Sequence, residues 1–359
     1  MTAILTETVE LNLDAYRAQV EAHLEAFLRK KAHAATSQHL PTLTVESVCT
    51  FIRAGGKRLR PILCACGWHA AGGGPEAANV VAVGAALEMF HAFALIHDDV
   101  MDRSATRRGQ PTVHRRLAAE FARTHPRAEA EQLGTSAAIL IGDLALAWSD
   151  ELLHTAGLPA GRLASSLSLI DEMRTEVMYG QYLDLASSVC ADLDLPLTVI
   201  RYKTAKYTIE RPLQLGAAIA GADQRLLENL SGFALPLGEA FQLRDDILGI
   251  FGDPSETGKS RLDDLREGKH TVLIALALAG ADDRQETQLR AVLGNTVITD
   301  ADAEQARVIL NETGATAKVE QLIEERYRQA ISALEALALP APAAQALRAL
   351  ARAAATRRS

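Results

Sequence analysis

The stretch AANVVAVGAALEMFHAFALIHDDVMD, residues 77–102, decides the fold class of this chain. Residues 77–96 are almost continuously apolar and are long enough for one helix. A membrane span is possible on length alone, but Glu88 and His91 within the stretch favour a buried central helix. The helix ends in acids: Asp98 and Asp102 lie four residues apart, which places their carboxylates one turn apart on one helix face.

The rest of the chain also predicts helices. Aromatic residues make up only 4% of the composition, β-branched alternation is rare, and apolar residues recur at spacings of three and four. Residues 103–111 are interpreted as a charged loop, and residues 197–220 and 224–251 as two further helices. No linker or repeat divides the chain. The sequence therefore predicts an all-α fold, a single-domain helical bundle over residues 1–359, with 1–8 and 352–359 frayed.

Composition excludes several classes of protein. The 359 residues carry a formal net charge of -8, whereas a nucleic-acid-binding protein needs a broad basic surface. The four cysteines form no CxxC pair, which indicates reduced thiols in a cytosolic protein. The N-terminal residues carry acids early and lack the basic region of a signal peptide. We expect a cytoplasmic protein that has no membrane span.

A second acid pair stands in the segment FQLRDDILG, residues 241–249. Asp245 and Asp246 lie late in an apolar helix, as the first pair does. Neighbouring carboxylates repel each other, so a positive partner is expected, and magnesium is commonly held by one or two carboxylates together with substrate phosphates. One such motif is weak support for a site. Two pairs that face each other would hold several metal ions on one diphosphate.

Basic residues cluster in four segments, two of which come just after the acid pairs. These are GGKRLRP (residues 55–61), RRGQPTVH (107–114), RYKTAKYT (201–208) and TGKSRLDDLREGKHT (257–271). A cation in such a segment is usually solvated, but guanidinium groups also bind phosphate oxygens bidentately. Cations beside acid pairs therefore favour a diphosphate substrate that is bound with magnesium.

These segments, in this order, resemble the polyprenyl synthetase family, the trans-isoprenyl diphosphate synthases, and are most similar to actinobacterial geranylgeranyl diphosphate synthases. The resemblance is strongest over residues 55–271. It implies a bundle of the isoprenoid synthase type with a central active-site cavity. It also implies an allylic diphosphate and isopentenyl diphosphate as substrates, three Mg²⁺ ions for each active site, and a homodimer.

The resemblance also implies roles for single residues. Magnesium would be bound by Asp98, Asp102 and Asp245, with Asp99 and Asp246 beside them. The allylic diphosphate or its metals would be contacted by Arg107, Lys203, Thr204, Gln242, Lys259 and Lys269. Isopentenyl diphosphate would be held by Lys57, Arg60, His91 and Arg108. The second motif departs from the family pattern DDxxD, because its last position is Gly249.

Product length is expected to depend on Phe90, Phe93 and Ala94, just before the first acid pair. This assignment rests on the resemblance, since helical spacing does not place Phe93 directly beneath Asp98. At 1.5 Å per residue, Phe93 lies about 7–8 Å along the helix from Asp98. The aromatic side chain favours a short-chain enzyme that makes the C20 product geranylgeranyl diphosphate, with C15 farnesyl diphosphate as the alternative.

Three other functions stay open. A class I terpene cyclase shares the fold and the first acid motif, but it usually carries an Asn/Ser/Glu motif on the second side. A non-catalytic partner subunit of a heteromeric synthase loses the aspartates, whereas this chain keeps both pairs. A helical phosphohydrolase is suggested by the dipeptide His97-Asp98, but it needs further histidines at metal spacing.

Overall fold

The computed structural model describes residues 11–74, 78–252 and 262–356, and most of them lie in helices. The all-α prediction is confirmed. In chain order the α-helices are α1 (Leu13–Ser37), α2 (Leu43–Arg53), α3 (Leu59–Ala70), α4 (Ala78–Met101), α5 (Val113–Phe121), α6 (Arg127–His154), α7 (Ala160–Ala186), α8 (Asp194–Val199), α9 (Arg211–Ala220), α10 (Gln224–Phe251), α11 (Asp263–Glu267), α12 (Val272–Gly280), α13 (Asp283–Val292), α14 (Asp300–Glu312), α15 (Ala315–Glu335) and α16 (Ala341–Thr356). A π-helix, Ile200–Glu210, joins α8 to α9.

The described chain forms two compact units. The N-terminal unit comprises residues 12–65 and 78–163, and the C-terminal unit contains residues 66–74, 164–252 and 262–356. One domain over residues 1–359 stays a prediction.

In the N-terminal unit, α4 is the central helix and packs against α1 and α6. Side chains from both neighbours bond its backbone: the Tyr16 hydroxyl donates to the Val80 carbonyl at 2.9 Å, and the Ser149 hydroxyl donates to the Ala86 carbonyl at 2.8 Å. Among the described helices, α4 alone has the length and composition to cross a membrane, and 78% of its most apolar window is buried inside the protein.

The segment that was predicted as a charged loop contains a small hairpin. Strands β1 (Thr106–Arg107) and β2 (Gln110–Pro111) pair antiparallel, with Arg107 opposite Gln110. Arg108 and Gly109 form the turn with φ of 53° and 71°. A two-residue hairpin turn of this kind needs positive φ at both central residues, which Gly109 adopts without strain.

In the C-terminal unit, α10 is the central helix and packs against the π-helix, α15 and α16. The π-helix was not predicted, since residues 197–220 were interpreted as one continuous helix. Pro212 lacks the N–H that an α-helix would use to bond the Thr208 carbonyl, so the α-helical register is interrupted before it. Two glycines let neighbouring helices approach the π-helix closely: a Cβ at Gly180 would lie 2.4 Å from the Lys203 backbone nitrogen, and one at Gly238 would lie 2.5 Å from the Ala205 Cα.

The last helix, α16, continues to Thr356, whereas the sequence predicts fraying from residue 352. Ala355 belongs to the apolar core of the C-terminal unit and is only 7% exposed. This packing keeps the last turns of the helix ordered against α10.

Candidate active site

The first acid cluster lies at the carboxyl end of α4 and is held by an arginine from the hairpin. Arg107 Nε donates to Asp99 Oδ1 at 2.7 Å, and Arg107 Nη2 donates to Asp98 Oδ2 at 3.2 Å. One guanidinium group therefore fixes two adjacent carboxylates. Arg107 is close to the acids in the sequence, and it contacts them directly because the hairpin turns the chain back toward α4.

Asp99 is the buried member of this cluster, with a side chain that is 1% exposed. Burial raises the pKa of Asp99 to about 6, against the lowering effect of Arg107, and the charges of Asp98 and Asp102 add to the rise. Its Oδ2 atom is buried and has no hydrogen-bond partner in the described part of the chain. A buried carboxylate oxygen that has no hydrogen-bond partner is a suitable ligand for a cation.

A basic cluster surrounds His91, about two turns before the acids on α4. Burial holds the pKa of His91 well below its usual value, and the charges of Arg60, Arg108, Arg107 and Arg58 lower it further. The imidazole is therefore neutral at pH 7 and lies among cations. The charges of Arg60 and Arg108 both act on His91, and Lys57 is exposed on the loop just before α3.

Arg58 has a different position from its neighbours on the basic loop. Its side chain is 3% exposed, and Nη1 bonds Glu88 Oε1 on α4 at 2.6 Å. Nη2 donates to the Ile52 carbonyl at 2.7 Å. Sequence reasoning did not assign Glu88 a partner, although an acid inside an apolar helix is the signal that one exists. The pair fastens the loop that carries Lys57, and with it the start of α3 at Arg60, to the central helix.

Arg108 joins the two basic segments of this unit. Its Nη1 donates to the Gly55 carbonyl, and its guanidinium carbon lies 5.8 Å from the centre of the Phe51 ring. A shallow depression beside it is lined by Asp99 and Arg107, among other residues. The hairpin turn and the loop at residues 55–58 therefore form one basic surface.

The second acid cluster lies on α10 and is connected to the π-helix by a chain of hydrogen bonds. Thr204 Oγ1 donates to Gln242 Oε1 at 2.8 Å, and Gln242 Nε2 donates to Asp246 Oδ1 at 2.7 Å. Burial raises the pKa of Asp246 to about 8; the Gln242 hydrogen bond opposes the rise, and the charges of Asp245 and Asp264 add to it. Three residues that the sequence predicts for the site are thus in direct contact.

Lysines at this cluster are held by acids. Lys203 Nζ lies 2.5 Å from Asp184 Oδ2 on α7, and Lys269 Nζ lies 2.7 Å from Glu267 Oε2. Asp184 was not identified from the sequence, because nothing local connects α7 with the π-helix. Lys259 lies outside the described residues.

The aromatic residues of α4 pack against one another. The Phe90 and Phe93 rings lie 5.3 Å apart, and Phe93 meets the His97 ring edge-on at 4.8 Å. Phe90 is 1% exposed and Phe93 8%, whereas Ala94 is half-buried. His97 bonds the Ile139 carbonyl at 2.9 Å and is not part of a histidine cluster in the described chain, so nothing supports the phosphohydrolase alternative.

Comparison with known proteins adds to this geometry. The family model for polyprenyl synthetase matches residues 42–310. A geranylgeranyl diphosphate synthase of Saccharolobus solfataricus is 34% identical over 72% of this chain and 74% of its own. A nonaprenyl diphosphate synthase of Mycobacterium tuberculosis is 32% identical over 85% and 84%. The crystal structure of geranylgeranyl pyrophosphate synthase from Corynebacterium glutamicum, complexed with isoprenyl diphosphate and magnesium, superposes with a TM-score of 0.91 at 39% identity and covers 97% of this chain and 100% of that one.

Proposed function

The chain belongs to the polyprenyl synthetase family, and on that premise we propose that it is a short-chain trans-isoprenyl diphosphate synthase. It joins an allylic diphosphate to isopentenyl diphosphate in a magnesium-dependent prenyl transfer. We assign geranylgeranyl diphosphate as the product, with farnesyl diphosphate as the alternative.

The observation that supports this proposal best is the juxtaposition of acids and cations along α4. Arg107 bonds both Asp98 and Asp99. Neutral His91 lies among arginines about two turns earlier on α4. A bare carboxylate cluster would suit many proteins. Carboxylates for a metal beside an anion site suit a substrate with a diphosphate group.

The donor set fits magnesium. Asp98 and Asp102 at the end of α4, and Asp245 on α10, supply the hard oxygen ligands that this ion prefers. In the described part of the chain no three acidic, histidine or cysteine side chains are gathered into a complete metal site. Phosphate oxygens of the substrate would therefore complete the coordination, and we propose three ions for each active site. Bound magnesium supplies positive charge that stabilises the departing diphosphate.

The cationic side chains of the protein act in the same direction. Arg107 and the lysines at 203 and 269 stabilise negative charge as the allylic C–O bond breaks, and each hydrogen bond to a charged group contributes roughly 1.5–3 kcal/mol. Lys57, Arg60, His91 and Arg108 hold isopentenyl diphosphate so that its double bond attacks the allylic carbocation. Proton loss then completes one five-carbon extension, with the departing diphosphate as the base.

Product length is assigned to Phe93 and its neighbours Phe90 and Ala94. Phe93 is a large side chain held between the Phe90 and His97 rings, which supports a barrier to a growing chain. Relatives of similar identity include geranylgeranyl and nonaprenyl diphosphate synthases, so overall similarity does not determine the length.

The proposal includes a cytoplasmic homodimer. Large apolar side chains on α7 are exposed, including Met178 at 48%, Tyr182 at 67% and Leu185 at 52%. Tyr182 follows Met178 by four residues, and Leu185 follows Tyr182 by three, so the three side chains share one helix face. This supports burial of that face against a second copy of the chain.

The function is tested by incubating the purified protein with Mg²⁺, labelled isopentenyl diphosphate and each allylic primer from C5 to C15, then sizing the products. The proposal expects a C20 product from every primer that is accepted. A C15 product supports the alternative length. Cyclised hydrocarbon, or no chain-extended product with any primer, contradicts the proposal.

A further inference from the structure

The π-helix Ile200–Glu210 needs a physical cause, because π-helices are rare and occur mostly as single turns at functional sites. It carries Lys203 and Thr204, which are assigned to the allylic diphosphate. Pro212 interrupts the α-helical register after it, but a missing N–H does not by itself select a π-register. The contacts that select this register come from α7.

The last hydrogen bond of the π-helix aligns two cations. The Arg211 backbone N–H donates to the Lys206 carbonyl, and a bond across five residues places these two residues about one turn apart. In an α-helix, residues five apart are separated by about 140° around the axis, so their side chains point to different sides. The π-register therefore brings the Lys206 ammonium group and the Arg211 guanidinium group to the same side of the helix.

One carboxylate on α7 binds both cations. Arg211 donates to Glu176 through Nε at 2.8 Å and through Nη2 at 2.7 Å, and the Lys206 ammonium group donates to the same carboxylate. The Glu176 side chain is only 16% exposed. Burial acts to raise the pKa of Glu176, but the bonds from Arg211 and Lys206 outweigh burial and hold the pKa below its usual value. Glu176 is therefore charged at pH 7.

Two other acids near these cations do not have the same effect. Glu210 lies 3.8 Å from Lys206 Nζ and 3.9 Å from Arg211 Nε, beyond hydrogen-bond distance. It is also part of the π-helix and moves with it. Glu172 on α7 lies 3.1 Å from Arg211 Nη2, and its side chain is 56% exposed. Of the described residues, Glu176 alone forms hydrogen bonds with both cations.

Glu176 belongs to a stripe of α7 that contacts the π-helix. Glu176, Gly180 and Asp184 recur at four-residue spacing and therefore share one helix face. Gly180 lets the two backbones approach, because a Cβ there would lie 2.4 Å from the Lys203 backbone nitrogen. Asp184 Oδ2 lies 2.5 Å from Lys203 Nζ. The stripe therefore holds the π-helix by an ion-pair contact on either side of a close backbone approach.

We propose that Glu176 is a positioning residue: by binding two cations at the end of the π-helix, it fixes the register in which Lys203 and Thr204 face the allylic diphosphate. This inference rests on the proposed function. Without the carboxylate, the two aligned cations have no hydrogen-bonded acid in common, and their repulsion favours a register that separates them. An α-register separates them, and it also rotates Lys203 and Thr204 about the helix axis away from their partners on α7 and α10.

The test compares two Michaelis constants in the full chain, at a temperature where circular dichroism shows the variant to be folded. Glu176→Gln keeps the shape of the side chain but removes its charge. With Mg²⁺ and a C15 primer, KM for the primer is expected to rise about tenfold or more, because Lys203 is displaced from the diphosphate. KM for isopentenyl diphosphate is expected to change by less than about twofold, because the residues assigned to it lie on other helices.

Glu172→Gln is the matched control. It removes a charge one turn earlier on α7, beside the same arginine, and both KM values are expected to stay as in the unmodified protein. Lys206→Met is a second variant that breaks the proposed contact, and it is expected to raise the primer KM. The combination of Glu176→Gln with Lys206→Met is expected to be no worse than Glu176→Gln alone, since both changes remove one interaction.

A crystal structure of Glu176→Gln observes the register itself. The hydrogen bond from the Arg211 N–H to the Lys206 carbonyl is expected to be lost. The inference is overturned if this bond persists, if the primer KM is unchanged, or if both KM values rise equally, which is the result of a merely structural role. If the unmodified protein elongates primers, such a result removes this inference alone. If the unmodified protein elongates no primer, the proposed function fails, and the register in the crystal structure still decides the role of Glu176.

Discussion

Arg58 and Glu88 form an ion pair inside the N-terminal unit, with Nη1 and Oε1 2.6 Å apart and side chains that are 3% and 4% exposed. The pair connects the loop at residues 55–58, just before α3, with α4. Arg58 has a φ of 47°, a left-handed conformation that costs a non-glycine residue about 1–2 kcal/mol. The buried contact with Glu88 offsets this cost and fixes the direction of Lys57 and Arg60.

Replacement of Glu88 by Gln is expected to destabilise the fold, because it leaves the Arg58 charge buried without its partner. Loss of one member of a buried pair costs about 3–5 kcal/mol, measured by denaturant unfolding. At a temperature where the variant is folded, KM for isopentenyl diphosphate is expected to rise more than KM for the allylic primer. Glu25→Gln is the control, because its pair with Arg53 is exposed and contributes at most about 1 kcal/mol. Equal stability of the two variants contradicts this account.

A methyl group at Gly180 is expected to displace the π-helix. The added Cβ would meet backbone atoms of Lys203, and backbone cannot move aside as a side chain can. Gly180→Ala should therefore lower both stability and turnover, since Lys203 and Thr204 move together. Gly232→Ala in α10 has room and should be neutral or slightly stabilising. Turnover of Gly180→Ala equal to that of Gly232→Ala would show that the close approach has no role in activity.

The contribution of His91 to the stability of the protein is expected to fall below pH 6.5. Unfolded His91 titrates near 6.5, whereas folded His91 titrates well below it. Between these two values the unfolded state binds more protons, so the free energy of unfolding decreases as pH falls, by at most about 1.4 kcal/mol per pH unit for this residue. Above pH 6.5 the full contribution of His91 is present. Burial raises the pKa of Asp99 to about 6 and that of Asp246 to about 8, so these two carboxyls change the stability in the opposite direction.

His91→Gln is expected to flatten this dependence, measured as the free energy of unfolding from pH 7.5 to 5. Some slope should stay, because burial also lowers the pKa of His23, His69 and His114. Identical slopes for the two proteins would show that His91 is not a buried neutral imidazole.

Phe93→Ala is expected to lengthen the product. Removing the ring opens space beside Phe90 and His97, so an allylic chain extends farther before it is blocked. Chromatography of the dephosphorylated products should show alcohols longer than those of the unmodified protein. An unchanged distribution of product lengths means that other residues limit the chain.

Local sequence patterns were sufficient to predict part of this structure. The helix predicted over residues 224–251 is observed with the same bounds, because apolar periodicity and the Asp223 N-cap are local signals. The basic segments and acid pairs supplied the residues that are assigned to the candidate site, and those assignments stay predictions. Thr204 from one segment, and Gln242 and Asp246 from another, form one hydrogen-bonded chain.

Contacts between distant segments could not be predicted from pattern. Asp184 meets Lys203, and Asp264 fills the space at Gly249, only because helices far apart in sequence pack together. The π-helix was missed for a related reason: its apolar spacing over eleven residues does not differ enough from that of an α-helix. Likewise, a Cβ at Gly249 would meet the Asp264 carboxylate on α11, and no local pattern in the sequence reveals this contact.

The central claim is that carboxylates at the end of α4 act through magnesium on a diphosphate. It is tested most directly by the turnover of Asp98→Ala with labelled isopentenyl diphosphate, a C15 primer and saturating Mg²⁺. We predict a loss of at least about 10²–10³-fold relative to the unmodified protein, as for removal of a group that stabilises transition-state charge. Near-normal turnover of a folded Asp98→Ala protein would contradict the assignment of the metal site and the account built on it.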